Sequence, residues 1–221
     1  MTGTTKKIVS ILMILAMAVL FCGCGGSGGS DKDAFVGTWN ATMDVTEFFN
    51  STIQESIAQG DDDMASYFNI DKFELPLVFT FNEDDTYTMT ADKDGLSSTM
   101  DAVKSNIKDG FMKYLEDMVA DQGLDMSVDE VLQLMGYDLD ELIEEAIGSE
   151  LVDAMVAEIE TSGKWEVKGG KLNMTDSMSD TEMGEFGSYK IDSNGITLNL
   201  TEDEEGSLEQ LGVSTLVLTK A

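Results

Sequence analysis

The sequence predicts an α+β protein: an antiparallel β-barrel or half-barrel of about eight strands with a three-helix insertion. Three observations lead to this prediction. From Trp39 to Val45, apolar and polar side chains alternate strictly, which is typical of a strand with one buried face. The opening Gly37-Thr38-Trp39 returns as Gly163-Lys164-Trp165, so both tryptophans start strands after a glycine. Between these stretches, residues 97–162 lose the alternation and show helical spacing.

The first 23 residues are predicted to be a signal peptide. A short basic segment precedes an apolar run at positions 8–21, which is shorter than the roughly 20 residues that span a membrane. Gly23 followed by Cys24 has the pattern of a bacterial lipobox, in which Cys24 becomes the first mature residue and carries lipid. We therefore expect an extracytoplasmic, membrane-anchored lipoprotein. The alternative is an ordinary secretory peptide with an incidental cysteine.

Composition excludes several classes of function. Cys22 would leave with the signal and Cys24 would be lipidated, so no disulfide, thiol nucleophile or cysteine metal site is expected. The chain has no histidine and no arginine, which removes histidine base chemistry and guanidinium clamps. From residue 24 onward, 11 lysines face 43 acids. Such a surface repels nucleic acid and anionic lipid, so we expect no nucleic-acid partner and membrane attachment through the lipid alone.

Residues 24–34 are predicted to be the lipidated cysteine and a Gly/Ser tether, and residues 35–221 a single β domain interrupted by the insertion. After the first strand, residues 46–59 show helical spacing, whereas residues 64–75 give no clear pattern. Two strands, 77–81 and 86–91, form a hairpin, and Pro76 stands where its first strand begins.

The insertion is predicted to contain three helices, over residues 98–121, from Ser127, and over residues 139–159. Ser127 and Glu130 fit a capping box, and Asp138 is the expected N-cap of the third helix. Methionine is a flexible side chain that lines adaptable apolar sites but more often simply fills a core. Six methionines lie in the insertion: Met100, Met112, Met118, Met126, Met135 and Met155.

After the insertion the chain returns to short strands. Gly169-Gly170 joins strands 164–168 and 171–175, and Asn194-Gly195 joins strands 189–192 and 196–201, because both dipeptides suit the positive φ angles of tight hairpins. The last strand is expected at 214–220, after an acidic loop at 202–205.

These strands together resemble the lipocalin-like domains of bacterial surface lipoproteins, over about half of the mature chain. The resemblance implies a meander barrel in which the Gly-x-Trp tryptophan closes one end and a late arginine stacks on it. This chain has no arginine, and Lys220 is the nearby substitute. The matching segments are Val36-Gly37-Thr38-Trp39, residues 81–88, residues 163–167, residues 189–192 with 195–198, and residues 216–220.

The leading hypothesis for function is a non-catalytic module, without cofactor or metal, that binds an apolar or amphiphilic small ligand. The alternative is a surface module whose helical insertion contacts a partner protein. A hydrolase using paired carboxylates ranks third, since 43 acids make chance pairs unavoidable. Asp92, Asp94 and Gly95 partly fit a calcium loop, but a turn explains them equally well. The predicted ligand-binding residues are Trp39, Met43, Phe79, Tyr87 and Trp165.

Overall fold

The computed structural model describes residues 29–58, 62–123, 125–136, 138–175, 177–180, 182–201 and 211–221. The predicted signal peptide, Cys24 and the acidic loop at 202–205 lie outside these residues. The fold is α+β, as predicted, and the sheet is a closed barrel rather than a half-barrel. Its strands are β1 (Gly37–Asp44), β2 (Glu74–Phe81), β3 (Thr86–Ala91), β4 (Thr161–Lys168), β5 (Lys171–Met174), β6 (Gly184–Asp192), β7 (Gly195–Leu200) and β8 (Thr215–Lys220).

Every strand pairs antiparallel with the next, and β8 returns to pair with β1, where Lys220 lies opposite Trp39. Short turns connect β2 with β3, β4 with β5 and β6 with β7. The last two contain the predicted dipeptides, whose glycines adopt positive φ: Gly169 and Gly170 have φ of 63° and 80°, and Gly195 has φ of 141°. Along β1 and β2 the burial alternates residue by residue, so the inward residues form the core of the barrel.

Helices precede, cover and extend the barrel. Those described are α1 (Gly29–Phe35), α2 (Thr46–Ala58), α3 (Asp62–Ala65), α4 (Lys93–Asp121), α5 (Val128–Met135), α6 (Leu139–Ile147) and α7 (Ser149–Ile159). The predicted helix over 46–59 is therefore confirmed. Helix α1 was not predicted, because its residues have a polar, glycine-rich composition that favoured a flexible tether.

The insertion between β3 and β4 contains four described helices, not three. The capping box of Ser127 and Glu130 is present, and the Asp138 carboxylate accepts the backbone N–H groups of residues 140 and 141. The predicted third helix divides at Gly148, whose backbone is extended (φ −76°, ψ −171°). A Cβ on Gly148 would lie 2.3 Å from the carbonyl oxygen of Glu144, so glycine permits the close approach of the chain at this break.

The barrel has two different ends. The closed end consists of α1, the turns at 82–85, 169–170 and 193–194, and the end of β8. The insertion end carries the longer connections, including the segment with α2 and α3 and the segment with α4 to α7. The long connections therefore lie at one end of the barrel and the short turns at the other. Long loops more often carry function, so the insertion end is the better candidate for a binding site.

Helix α4 connects the barrel to the outer part of the insertion. Its 29 residues give a length of about 43 Å. Leu96, Met100 and Val103 in its first half are buried in the barrel core, and the Thr99 hydroxyl donates to the carbonyl of Glu74 at 3.1 Å. Beyond them the helix continues without a break past Gly110, where a Cβ would lie 2.4 Å from the carbonyl oxygen of residue 67.

The barrel interior as candidate binding site

The five predicted ligand-binding residues all lie inside the barrel and belong to one buried core. Trp39 and Phe79 are opposite each other on β1 and β2, and Tyr87 is opposite Phe81 on β3. Each is at most 7% exposed. The alternation read from the sequence therefore assigns the correct face of these strands.

The closed end is filled by aromatic rings from this chain. Phe35, the last residue of α1, is fully buried, and its ring lies 5.6 Å from that of Phe81, 5.9 Å from Trp165 and 5.0 Å from Tyr189. The ring of Phe81 lies 6.1 Å from that of Phe79. Edge-to-face and offset pairs at these distances stabilise a core beyond the area that they bury. Phe35 thus acts as a plug, and no pattern in the sequence predicted this role.

Polar groups hold this plug in place. The Trp39 indole N–H donates to the carbonyl oxygen of Phe35 at 2.5 Å, and the Tyr189 hydroxyl donates to Asp31 at 2.8 Å. Burial, and then the neighbouring Asp31 carboxylate, raise the pKa of Tyr189 to about 12. Lys32 forms an ion pair with Asp85. Helix α1 is therefore joined by polar contacts to three parts of the barrel: β1, β6 and the turn between β2 and β3.

Lys220 replaces the arginine that the resemblance leads one to expect. Its ammonium group lies 5.0 Å from the centre of the Trp39 ring, which is within the range of a cation–π contact. The same two residues are paired across β8 and β1, where the barrel closes. A lysine at this position thus stacks on the tryptophan without the planar, bidentate group of an arginine.

The interior presents no free polar side chain in the described part of the molecule. Thr175 is the buried polar residue; its hydroxyl accepts the backbone N–H of Lys164 at 2.8 Å and donates to the carbonyl of Ser177 at 2.9 Å. The Tyr87 hydroxyl donates to the carbonyl oxygen of Thr175 at 2.7 Å. No buried side-chain nitrogen or oxygen of the described residues lacks a hydrogen-bond partner. The chemistry offered inside the barrel is therefore apolar.

The insertion end has a different lining. Helix α7 adds Val152, Met155 and Ile159 to the barrel core, and α4 adds Leu96, Met100 and Val103. Five methionines share this continuous core: Met43 near the insertion end of β1, Met89 within β3, Met100 on α4, Met155 on α7, and Met174, which lies opposite Trp165 on the neighbouring strand. A cluster of aromatic rings thus fills the closed end, whereas the insertion end combines the flexible thioethers of Met43, Met100 and Met155 with the stacked rings of Phe49 and Phe73.

The predicted ligand-binding residues are distributed between the two ends of the barrel. Phe79, Tyr87 and Trp165 pack with the plug or with residues that surround it, whereas Met43 lies near the other end of β1. The indole N–H of Trp165 donates to the carbonyl of Asn82 at 3.2 Å, in the turn of the closed end. Met100 and Met155 join the interior although the prediction omitted them. Their position in the apolar stripes of helices indicated that they are buried, but not that they are buried inside the barrel.

Asp92, which belongs to the partial calcium-loop pattern, has a structural role. Asp92 is the N-cap of α4 and accepts the backbone N–H of Asp94 at 3.2 Å. Within the described ranges, no group of three or more acidic or cysteine side chains is arranged to hold a metal ion. Lys104 and Lys108 of α4 bind Glu144 and Asp140 of α6 at 2.6 and 2.5 Å, and these hydrogen bonds raise the pKa of both lysines.

Comparison of the chain with protein-family models, with curated proteins and with solved structures gave no match. Among the described helices, none has the length and apolar character needed to cross a membrane. The fold is therefore described by its topology alone, as a closed barrel of eight strands in meander order.

Proposed function

We propose that this protein is a lipid-anchored, extracytoplasmic, non-catalytic binding module of the lipocalin-like kind. In this proposal an apolar or amphiphilic small molecule binds between the Met43 end of the barrel and helices α4 and α7. The observation that carries the proposal is the difference between the two ends of the barrel: a packed aromatic cluster fills the closed end, whereas the flexible side chains of Met43, Met100 and Met155 lie toward the insertion. Methionine adapts its shape at low cost, so this end accommodates a guest more readily than the aromatic end.

Access to such a site requires movement of α7 or of the first half of α4, because both cover the core. Helix α7 has no side-chain N-cap at Gly148, and exposed Lys93 joins it to α4 through Asp153 at 2.6 Å. Exposed ion pairs contribute little, about 0–1 kcal/mol. Helix α7 is therefore the element whose displacement we propose for ligand entry.

Native mass spectrometry of the protein extracted from membranes tests the ligand directly. We expect an additional mass that disappears on denaturation, and uptake of a neutral apolar dye such as Nile red. A neutral dye is needed because the chain has a net charge of −30, which repels anionic probes. A single apo mass together with no dye uptake would exclude the ligand-binding proposal.

Matched variants locate the binding region. Met100→Leu with Met155→Leu conserves volume and is expected to cost less than about 1.5 kcal/mol per site, yet removes the flexible thioethers. We expect weaker dye binding in this double variant and unchanged binding in Met118→Leu, whose side chain lies on α4 outside the barrel core. Equal weakening in both would place the dye elsewhere.

The lipid anchor has a separate test. Cys24→Ser is expected to move the protein from the membrane fraction to the soluble extracytoplasmic fraction, because Cys24 is the proposed acylated residue. Retention of the variant in the membrane would contradict the lipobox interpretation without bearing on the barrel site.

A second candidate function is a protein-interaction module, since apolar side chains are exposed on the insertion. Leu134 on α5 is 76% exposed and Leu142 on α6 is 42% exposed. In-cell crosslinking tests this function. Leu134→Ser with Leu142→Ser is expected to lose crosslinked partners, whereas Met178→Ser, at a 49% exposed site between β5 and β6, is expected to retain them. The same partners in all three proteins would refute this role for the insertion.

A further inference from the structure

Charge is distributed unevenly along the barrel axis. The segments that form the closed end, residues 29–36, 82–86, 164–171, 189–195 and 218–221, contain six lysines and seven acids. More than half of the 11 lysines that follow residue 28 are in these segments. This end is therefore close to neutral, in a chain with a net charge of −30. The six lysines are Lys32, Lys164, Lys168, Lys171, Lys190 and Lys220.

The opposite end is strongly acidic. The insertion from Lys93 to Ile159 contains 17 acids and four lysines, and Lys104 and Lys108 are already paired with acids of α6. At the closed end, Lys171 pairs with Glu185 and Lys32 with Asp85. Lys164, Lys168 and Lys190 form no salt bridge with any residue that the structure describes. Lysines without a salt bridge to a described residue are thus concentrated at the closed end, whereas the insertion has one of them, Lys113, and a large excess of carboxylates.

The chain also enters the barrel at the closed end. Helix α1 begins at Gly29 and ends in the buried plug residue Phe35. Cys24 is five positions before Gly29, and five residues reach at most about 18 Å even when fully extended. A lipid on Cys24 therefore holds the closed end within this distance of the headgroups.

From these two observations we infer that the closed end of the barrel faces the lipid surface, while the insertion points away from it. The inference rests on the proposed lipid anchor. The strands are up to nine residues long, and at the tilt of a barrel strand they separate the two ends by about 20 Å. That separation exceeds two Debye lengths at physiological ionic strength, about 8 Å each. Anionic headgroups then face the lysines of the closed end, and the acids of the insertion are screened from them.

The opposite orientation brings the insertion against the same headgroups. The groups nearest to the headgroups would then come from a segment with 17 acids and four lysines, and like charges would be brought together. The net charge of the whole chain predicts only repulsion from a membrane. The uneven distribution of that charge favours contact through the closed end.

Residue-resolved lysine labelling tests the orientation. The full-length protein is extracted from membranes, its N-terminal lipid is verified by mass spectrometry, and it is reconstituted into phosphatidylcholine vesicles with or without phosphatidylglycerol. Acetylation at each lysine is then compared with that of soluble Cys24→Ser. We expect labelling of Lys164, Lys168 and Lys190 to fall about threefold or more in anionic vesicles, because headgroup contact excludes the reagent. Labelling of Lys72 and Lys113 is expected to remain unchanged.

Charge reversal provides the matched control. Lys168→Glu with Lys190→Glu is expected to abolish the added protection of Lys164 in anionic vesicles, whereas Lys113→Glu, in the insertion, is expected to leave it intact. Uniform protection, or protection of Lys113, in a lipidated protein would overturn the orientation and leave the anchor standing. Absence of lipid on Cys24 would overturn both.

Discussion

Replacing Phe35 by alanine tests whether α1 is part of the fold rather than of the tether. The Phe35 side chain is fully buried and has three aromatic rings within 6 Å. Truncating a buried phenylalanine typically costs about 3–5 kcal/mol, and the lost ring pairs place this site in the upper half of that range. We therefore expect Phe35→Ala to lower the free energy of unfolding by about 4 kcal/mol, and the Tm by about 8–16 °C for a chain of this size.

Urea denaturation followed by tryptophan fluorescence is the assay, because Trp165 adjoins the Phe35 ring. Phe111→Ala is the matched control: this phenylalanine is half-buried on α4, 6.5 Å from the ring of Tyr114, and its loss is expected to cost about 1 kcal/mol. Phe35→Leu, which keeps an apolar plug, is measured in parallel in case the alanine variant does not fold. Equal losses for Phe35→Ala and Phe111→Ala would show that α1 is not docked.

Three further predictions concern the barrel. Gly163→Ala is expected to cost more than Gly170→Ala in the same urea assay, since its Cβ would lie 2.4 Å from the carbonyl oxygen of residue 175, whereas Gly170 has open space and only the φ penalty of about 1–2 kcal/mol; a smaller loss at Gly163 would contradict this packing. Because the pKa of folded Tyr189 is raised to about 12 from 10.0, its contribution to stability is complete below pH 10 and disappears as the pH rises toward 12. Ultraviolet titration of Tyr189→Phe should therefore lose one tyrosine from the component near pH 12, and an unchanged titration would be evidence against the burial of Tyr189 beside Asp31. Finally, Lys220→Gln is expected to cost about 0.5–1 kcal/mol through the lost cation–π contact with Trp39, with Lys220→Arg restoring it; equal stability of all three proteins would refute the contact.

The strands were predictable because their signals are local. Alternation from Trp39 assigned the inward face of β1, and Gly169-Gly170 and Asn194-Gly195 located two hairpins. The capping box at Ser127 is equally local and is confirmed. Each of these features depends on side chains within a few residues of one another, so a single sequence contains the information.

What was missed depends on contacts between distant parts of the chain. Gly148 lies within an apolar pattern that continues on both sides, and a single glycine costs a helix only about 1 kcal/mol, so the break was not predicted. Helix α1 is too short to be stable alone, and its docking depends on residues more than 40 positions away, such as Tyr189 and Phe81. The entry of Met100 and Met155 into the barrel core likewise depends on where the insertion packs.

Closure of the barrel has a consequence for the order of folding. The last pairing joins residues that are far apart in sequence: the Thr219 hydroxyl donates to the carbonyl of Asn40 across 179 positions. Until β8 has arrived, β1 and β7 present open edges that are able to pair with other chains. A chain that is synthesised from its N-terminus therefore cannot complete its sheet before its final strand appears. Slow folding, dominated by this distant pairing, is expected, and so is a period of exposure during which the high negative charge of the chain opposes aggregation.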